Sequence, residues 1–286
     1  MGRRLGQHFL TRKSTLDGIA SAACDACVSG RTPLVIEIGA GRGALTESLL
    51  DRAEKVVAIE VDPVLVHYLR QKFRDPIDAG RLVLSETDIL KTDLTAWGPA
   101  VIAGNLPYYI TSPILERIFA AGASWKRAVL LVQAEVAARI VAQPGRREYG
   151  YLSVLVQAQA RAERLLEVPR AAFRPPPKVD SAVVRLEPRP AGDDFGINDL
   201  ASFLEFAGNC FRYKRKTLRN NLAGIFDRSA VEAAVGPKDR AEQMGVAELV
   251  RLFTTLAGAG SGTGGLRSGP PRNPRWDHKP SEEEAR

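Results

Sequence analysis

The amino-acid sequence predicts an α/β fold with a wound, mostly parallel sheet, followed by a small all-helical domain. Between residues 34 and 189, short apolar runs alternate with stretches of helical periodicity, as in parallel strands joined by helices. After residue 189 the strand pattern stops, and apolar positions from 198 to 257 recur at helical spacing. These two observations define the fold class and place the change of architecture near residue 190.

The sheet elements are predicted in chain order. Strands are expected at 34–38, 56–61, 81–84, 100–103 and 128–133. Helices are expected at 44–53 and at 63–73, and Asp62 with Pro63 forms a start signal for the second helix. The strand at 128–133 is apolar on both faces, which is typical of a central parallel strand. Strands at 160–167 and 181–187 are predicted to form a hairpin-like edge.

Three regions follow from this pattern. Residues 1–189 are expected to form the sheet domain, and residues 197–257 a small helical domain, with a linker at 190–194. Residues 258–286 are rich in Gly, Ser, Pro and charge, and the run 282–284 is all Glu. Such a segment buries too little apolar surface to fold, so we expect a disordered tail.

Composition limits the possible environments of the chain. It has 286 residues, with 40 Lys and Arg against 33 Asp and Glu, a net charge of +7 that suits a polyanionic partner without establishing one. We find no uncharged apolar stretch of about 18 residues and no secretory signal, so no membrane association is expected. Three cysteines, an odd number, favour a reducing compartment, and we expect a cytoplasmic location.

Cys24 and Cys27 form a C-x-x-C pair, the spacing of redox and zinc sites. They stand in a run of small residues, and no second Cys or His pair lies at ligand spacing. A zinc site needs four converging ligands, so we favour a structural role and expect no metal.

A glycine-rich loop follows the first sheet strand. Gly39 and Gly41 would let the backbone approach a ligand closely. The next strand ends in Glu60, which can accept hydrogen bonds from ribose hydroxyls, and Asp88 follows the third strand. The same glycines, with Ala44, also satisfy the fingerprint of dinucleotide-binding proteins, so a nicotinamide dehydrogenase and a turn without a ligand remain alternatives at this point. Glu37 would repel a pyrophosphate, but could hold a cationic amino-acid group.

The fourth strand ends in Asn105, Leu106, Pro107 and Tyr108, at the sheet edge where ligands bind in such folds. These residue types suit methylation of an exocyclic adenine amine. The Asn105 side-chain oxygen and the Leu106 carbonyl could accept the two N–H groups, and Tyr108 offers a flat face for the base. Pro107 stiffens the turn. The alternative is an ordinary turn with a core aromatic.

Asn-Leu-Pro-Tyr, following Glu-Ile-Gly-Ala-Gly-Arg-Gly, resembles the ribosomal RNA adenine N6,N6-dimethyltransferase family. Three further stretches, residues 6–10, 173–186 and 211–222, resemble other motifs of that family in the same order. The resemblance extends from about residue 5 to residue 256. It implies a Rossmann-like class I fold dependent on S-adenosylmethionine, with a small C-terminal all-helical domain and with no metal.

The resemblance also assigns site residues. The implied cofactor contacts are His8, Leu10, Gly39, Gly41, Glu60, Asp88 and Asn105, with the N-terminal segment lying over the cofactor. The implied catalytic group is Asn105, Leu106, Pro107, Tyr108 and Phe173, in which Phe173 would sandwich a flipped adenine against Tyr108. His8 stands where the commonest form of the family has Asn, and either side chain can form a hydrogen bond.

Five cations lie within eight residues: Arg212, Lys214, Arg215, Lys216 and Arg219. On the predicted helix, Arg212, Lys216 and Arg219 share one face. We interpret the segment as an RNA-binding surface, although a solvated helix face is the alternative. Other cations that could widen this surface are Arg3, Arg4, Arg12, Lys13, Arg146 and Arg147. Residues 144–150 are predicted to form a mobile loop nearby.

The motifs most resemble the branch that dimethylates two adjacent adenines in the 3′-terminal hairpin of 16S rRNA. This resemblance implies the immature small ribosomal subunit as partner, and a monomeric enzyme. The alternatives are the macrolide-resistance branch, which acts on 23S rRNA, and more remotely an NAD-dependent oxidoreductase or a non-catalytic assembly factor.

Overall fold

A computed structural model describes residues 8–25, 30–190, 192–193 and 195–259. The chain divides into two compact units. The first comprises residues 1–138 and 160–188, and the second comprises residues 139–159 and 189–286. Sequence patterns had placed residues 139–159 in the sheet domain, because a single helix pattern does not reveal which core it packs against.

The first unit is built on a seven-stranded sheet among its described residues. The strands are β2 (Thr32–Ile38), β3 (Ala53–Glu60), β4 (Leu82–Glu86), β5 (Ala100–Asn105), β6 (Trp125–Gln133), β7 (Ala160–Val168) and β9 (Ser181–Pro188). Their order is β4-β3-β2-β5-β6-β9-β7. The first five in this order are parallel, whereas β9 runs antiparallel to both β6 and β7. A separate pair joins β1 (Phe9–Leu10) to β8 (Phe173–Arg174).

Helices cover this sheet. They are α1 (Lys13–Cys24), α2 (Ala44–Leu50), α3 (Pro63–Lys72), α4 (Arg74–Asp78), α5 (Thr111–Ala120) and the first part of α6 (Ala134–Val141). The Asp62 carboxylate accepts the Val64 N–H at 2.9 Å and so caps α3, as the Asp-Pro signal predicted. The core is formed by fully buried strand residues such as Val35, Val56 and Val129.

Several predicted boundaries differ from the structure. The helix expected at 44–53 ends at Leu50, because Arg52 turns back through an N–H bond to the Leu49 carbonyl and β3 already begins at Ala53. Polar residues at the start of β3 hid this extension, although Lys55 pairs with Leu34 of β2. By contrast, the hairpin-like edge expected of strands 160–167 and 181–187 is confirmed, because β7 and β9 pair antiparallel at one end of the strand order, with β7 outermost.

The second unit is helical. Besides the end of α6, its helices are α7 (Tyr151–Gln157), α8 (Leu200–Cys210), α9 (Leu218–Leu222), α10 (Arg228–Ala234) and α11 (Val246–Ala259). Asp199 caps α8 through the Ser202 N–H, and Asp227 caps α10 through the Ala230 N–H. The buried core of this unit includes Phe203 and Leu249.

The sequence predicts a helix through the basic segment, but the structure shows a turn there. Helix α8 ends at Cys210 and α9 begins at Leu218, so residues 211–217 form a turn. Asn221, only 5% exposed, holds this turn: its amide nitrogen donates to the Cys210 carbonyl at 2.8 Å, and its amide oxygen accepts the Tyr213 N–H at 3.2 Å. These side-chain bonds take the place of the backbone bonds that would continue a helix.

The predicted tail begins slightly too early. Helix α11 includes Gly258 and ends at Ala259, and the remainder of the predicted tail, residues 260–286, lies outside the described residues. Over the part of the chain that is described, no helix has the length and apolar character needed to cross a membrane.

Candidate active site

The sheet order brings the predicted site residues of the first unit to one edge. The glycine loop follows β2, Glu60 ends β3, Asp88 follows β4 and Asn105 ends β5. Because β4, β3, β2 and β5 are neighbouring parallel strands, these four positions lie side by side along the carboxyl edge of the sheet.

The glycine loop passes beneath the ring of Phe9. Gly39 and Gly41 have φ values of 74° and 58°, which disfavour any residue with a side chain. A Cβ atom added at Gly41 would lie 3.3 Å from the Phe9 ring, and the Arg42 guanidinium lies 4.8 Å from the centre of that ring. Phe9 therefore covers the loop, a contact that sequence reasoning missed between the two residues it named, His8 and Leu10.

Glu60 holds the glycine loop in place. The residue is 6% exposed, and its carboxylate accepts three backbone N–H groups, from Gly41 at 2.8 Å, Val61 at 2.9 Å and Asp62 at 3.0 Å. A carboxylate has about four acceptor positions, so capacity remains for a ligand hydroxyl. Val61, the next residue, is 51% exposed, which is a large exposed fraction for an apolar residue.

Asp88 is half-buried at the start of a short 3₁₀ turn, where one carboxylate oxygen accepts the Leu90 N–H at 2.9 Å. Tyr109 lies within electrostatic reach of this carboxylate. Burial raises the pKa of the Tyr109 phenol, and the negative charges of Asp88 and Glu60 raise it further. Tyr109 is not among the site residues that the sequence predicts, and its signal in the sequence is its position directly after Tyr108.

Glu37 is fully buried near the end of β2, where the Thr46 hydroxyl of α2 donates to its carboxylate at 2.5 Å. Burial raises the pKa of Glu37 to about 8, with the Thr46 hydrogen bond opposing and the Glu60 charge adding to the shift. Because the residue is 1% exposed, its carboxylate does not face solvent.

Asn105 is oriented by the N-terminal segment. Its amide nitrogen donates to the His8 backbone carbonyl at 3.1 Å, so the amide oxygen points to the other side of the group. Next to it, the Leu106 N–H donates to the Leu131 carbonyl of β6 at 3.0 Å, and the Leu106 side chain is buried. These bonds fix the backbone and the amide of the predicted catalytic turn.

Tyr108 is fixed from two sides. Its hydroxyl lies 2.7 Å from the hydroxyl of Ser181, which is 1% exposed at the start of β9. Its ring lies nearly parallel to the His8 ring, with centroids 6.3 Å apart and an interplanar angle of 22°. Burial raises the pKa of the Tyr108 phenol, and the Ser181 bond partly offsets this rise. Ser181 belongs to the 173–186 motif, but sequence reasoning gave it no role.

Phe173 does not occupy the position expected of it. Its side chain is fully buried in the core, and it is His8 that stacks with Tyr108. The cause is the pairing of β8 with β1, in which Phe173 faces Leu10 and both side chains turn inward. In this conformation the Phe173 ring cannot contact a base, and the Leu10 side chain likewise belongs to the core.

The β1–β8 pair closes over the site through further bonds. The N–H and the hydroxyl of Thr11 both donate to the Ala172 carbonyl, at 2.9 and 3.0 Å, and His8 Nδ1 lies 2.9 Å from the Pro175 carbonyl. The segment 172–175, which includes β8, thus holds the N-terminal segment, and the His8 carbonyl of that segment accepts the Asn105 amide N–H.

In the second unit, the basic turn comprises residues 211–217. Arg212 and Lys216 both lie over the Tyr213 ring, and Lys214 donates to the Arg147 carbonyl at 2.9 Å. The loop 144–150 therefore contacts the basic turn, as predicted. Arg219 differs from the other cations, because its guanidinium donates to the carbonyls of Glu232 and Val235.

Among the described residues, no group of three or more His, Cys, Asp or Glu side chains converges in a way that could hold a metal. Cys24 is buried, and Cys27 lies outside the described residues.

Residues 2–258 match the family described as Ribosomal RNA adenine dimethylase. A relative from Acidobacterium capsulatum, named Ribosomal RNA small subunit methyltransferase A, is 41% identical over 265 residues, which cover 88% of this chain and 90% of the relative.

Two solved structures share the fold. A dimethyladenosine transferase from Plasmodium falciparum superposes with a TM-score of 0.73 at 26% identity, covering 88% of this chain and 98% of that one. The 23S rRNA methyltransferase ErmE gives a TM-score of 0.67 at 29% identity, covering 87% and 99%. The first unit therefore has the Rossmann-like class I methyltransferase fold, and the chain belongs to the ribosomal RNA adenine dimethylase family.

Proposed function

We propose that this chain transfers methyl groups from S-adenosylmethionine to N6 of adenine in small-subunit ribosomal RNA. The observation that carries the proposal is the orientation of Asn105. Its amide nitrogen donates to the His8 backbone carbonyl, so the amide oxygen is the atom that can accept a hydrogen bond from a substrate at the end of β5. The names of relatives about 40% identical support the small subunit as the source of the RNA.

The residues at the strand ends fit the cofactor. The loop at Gly39 and Gly41 gives access to backbone, Glu60 keeps acceptor capacity for ribose hydroxyls, and Asp88 has a second oxygen for the adenine end. When bound, S-adenosylmethionine supplies a methyl group already activated by a sulfonium, so the protein needs no strong base. Phe9 and the β1–β8 pair cover the loop and would exclude water.

The chemical work of the protein is to orient the amine. The exocyclic nitrogen of adenine is a poor nucleophile because its lone pair is delocalised into the ring. The Asn105 oxygen and the Leu106 carbonyl would accept its two N–H groups and draw the nitrogen toward tetrahedral geometry. A neutral amide suits this position, since the amine becomes positive during attack. Alignment of nitrogen, methyl carbon and sulfur provides the rest of the acceleration.

Tyr108 would provide the surface on which the extruded base stacks, and its hydroxyl bond to Ser181 fixes the ring. Pro107 supports the turn between this ring and Asn105. We assign Phe173 and Leu10 to holding the β1–β8 cover rather than to contact with the base, because both side chains are buried.

We assign RNA backbone contact to the second unit, with residues 197–257 as its helical part. Arg212, Lys214, Arg215 and Lys216 are exposed on the basic turn, and Arg146 and Arg147 are exposed on the loop that Lys214 contacts. Clustered cations of this kind bind phosphates and release counterions. Arg219 supports RNA binding only indirectly, by stabilising the fold, since its guanidinium donates to the backbone carbonyls of Glu232 and Val235. We place the enzyme in the cytoplasm as a monomer that binds immature small subunits.

The test is to incubate the protein with labelled cofactor and either immature small subunits or large-subunit RNA, followed by mass spectrometry of the nucleosides. We expect N6,N6-dimethyladenosine at two adjacent positions of the 16S 3′-terminal hairpin. Methylation of large-subunit RNA alone would identify the macrolide-resistance activity instead. Calorimetric binding of NAD(H) without methyl transfer would identify an oxidoreductase, and RNA binding without turnover an assembly factor.

A further inference from the structure

A polar cavity lies in the first unit at the same sheet edge as Asn105, but on the side away from the glycine loop. Its volume is about 450 Å³, within the range of pockets that bind small organic ligands. The residues that line it are Gln133, Ala134, Glu135, Arg170, Lys178, Val179 and Asp180.

The strand order places this cavity relative to the chemistry. The glycine loop, Glu60 and Asp88 stand at the ends of β2, β3 and β4, on one side of β5. Gln133, at the end of β6, lies on the other side of β5 and pairs with Ser181. Because neighbouring strands are about 4.8 Å apart, the cavity begins within one or two strand spacings of Asn105.

Ser181 connects the cavity to the predicted base platform. Its hydroxyl lies 2.7 Å from the Tyr108 hydroxyl, while Asp180, its neighbour in sequence, lines the cavity. Asp180 is fixed in turn: its carboxylate accepts the Arg170 N–H at 2.8 Å, and its carbonyl accepts the Ala134 N–H at 3.0 Å. The cavity wall and the platform thus belong to one hydrogen-bonded structure.

The lining has the donors and acceptors that a nucleotide needs. Arg170 and Lys178 are exposed cations suited to a phosphate, whereas Gln133, Glu135 and Asp180 offer acceptors, and Gln133 also donors, for a base edge. Val179, 45% exposed, adds an apolar surface. A site for phosphate alone would not carry two carboxylates, since they repel an anion.

We propose that this cavity binds the nucleotide next to the target adenine in the RNA strand, with its base inside and its phosphate at Arg170 and Lys178. The inference rests on the proposed function, because it requires an RNA substrate whose target base stacks on Tyr108. In this arrangement the cofactor lies at the ends of β4, β3 and β2, and the target base lies at the end of β5. The neighbouring nucleotide lies beyond them, where β6 ends and β9 begins. The cavity would hold the strand in register while the target amine faces Asn105.

The experiment combines protein and RNA changes in one cycle. Small subunits are reconstituted with 16S rRNA in which the nucleotide that flanks the pair of target adenines on the 5′ or the 3′ side is abasic, so that both adenines are retained, and methylation of the adenine next to the abasic position is followed. Methylation by the full-length protein is measured for the wild type, for Val179→Trp, which fills the cavity, and for Gln133→Ala, a smaller change. Lys126→Ala is the matched control, because Lys126 is exposed near the opposite end of β6.

We expect base removal on one side to raise the KM of the wild type about tenfold, and Val179→Trp to raise it similarly on intact RNA. The abasic site and Val179→Trp together should raise the KM little more than either change alone, since both remove the same interaction. Gln133→Ala should show the same non-additivity with a smaller loss, and Lys126→Ala should behave as wild type. Calorimetric binding of S-adenosylmethionine should be equal in all proteins.

Fully additive losses on both sides of the target would overturn the proposal, as would a wild type indifferent to both abasic sites. In either case methylation of intact subunits would leave the proposed function standing. If the wild type methylates no intact subunit, it is the proposed function that fails.

Discussion

The side-chain amide of Asn105 donates to the backbone carbonyl of His8, 97 positions earlier in the chain, at 3.1 Å. The bond uses the main chain of His8 and not its ring. The contact therefore does not depend on which side chain stands at position 8. It also joins the catalytic turn to the segment that covers the glycine loop.

Replacing Asn105 by Ala should abolish most turnover. The variant loses one acceptor for the amine, and the loss of a single preorganised transition-state contact costs about 10²–10³ in kcat. RNA binding should persist, because the basic turn is unchanged. Steady-state methylation and a filter-binding assay measure the two quantities separately.

His8→Asn is the matched control for this variant, since it retains the backbone carbonyl that Asn105 contacts. We expect activity within about threefold of wild type, which is under 1 kcal/mol. Near-normal turnover in Asn105→Ala would contradict the acceptor role.

Tyr108→Ala should weaken substrate use by roughly 5- to 150-fold, because base stacking on an aromatic ring contributes about 1–3 kcal/mol. Tyr108→Phe keeps the ring and loses only the hydroxyl bond to Ser181, a contribution of about 0.5–1.5 kcal/mol, so its loss should not exceed about tenfold. Kinetics on small subunits compare the two variants.

Ser181→Ala removes the same hydroxyl bond from the other side and should match Tyr108→Phe. The double variant should lose no more than either single variant. Equal activities of Tyr108→Ala and Tyr108→Phe would show that the ring is not the platform.

Converting Lys214, Arg215 and Lys216 to Gln should weaken RNA binding and flatten its salt dependence. Each lost phosphate contact reduces the slope of log K against log salt by about 0.7–0.9. The measurement is RNA affinity over a series of salt concentrations.

Arg219→Gln serves as a contrasting variant from the same segment. Its guanidinium donates to the carbonyls of Glu232 and Val235, so its loss should lower the Tm and leave the salt slope unchanged. A slope that falls only in Arg219→Gln would reverse our assignment of these cations.

Glu37→Gln should stabilise the cofactor-free protein at pH 8.5 more than at pH 5. Burial raises the pKa of Glu37 to about 8 in the folded state from about 4.5 when unfolded, so between these values the folded state binds more protons. The free energy of unfolding therefore falls as pH rises through this window, and a neutral amide avoids the loss.

Thermal unfolding at the two pH values measures this effect, with a Tm change of about 2–4 °C for each kcal/mol in a protein of this size. Glu54→Gln, at an exposed position of β3, is the control. A Tm difference between Glu37→Gln and wild type that is the same at both pH values would contradict the prediction.

Local patterns in the sequence determined the class of fold and most of the site. Apolar periodicity indicated the parallel strands, and glycines after β2 indicated close backbone approach. Glu60, Asp88 and Asn105 could be placed at one sheet edge because parallel strands end at the same edge. The motifs also identified the family, since four of them occur in the right order.

Tertiary structure alone decided which side chains face the site. The pairing of β1 with β8 buried Phe173 and brought His8 over Tyr108, and no local pattern reports the contact of segments more than 160 residues apart. The buried amide of Asn221 stabilises the basic turn at residues 211–217, where the sequence predicts a helix. The periodicity of a segment indicates the secondary structure that the segment favours by itself. The positions of these side chains depend instead on hydrogen bonds to distant parts of the chain and on burial against them.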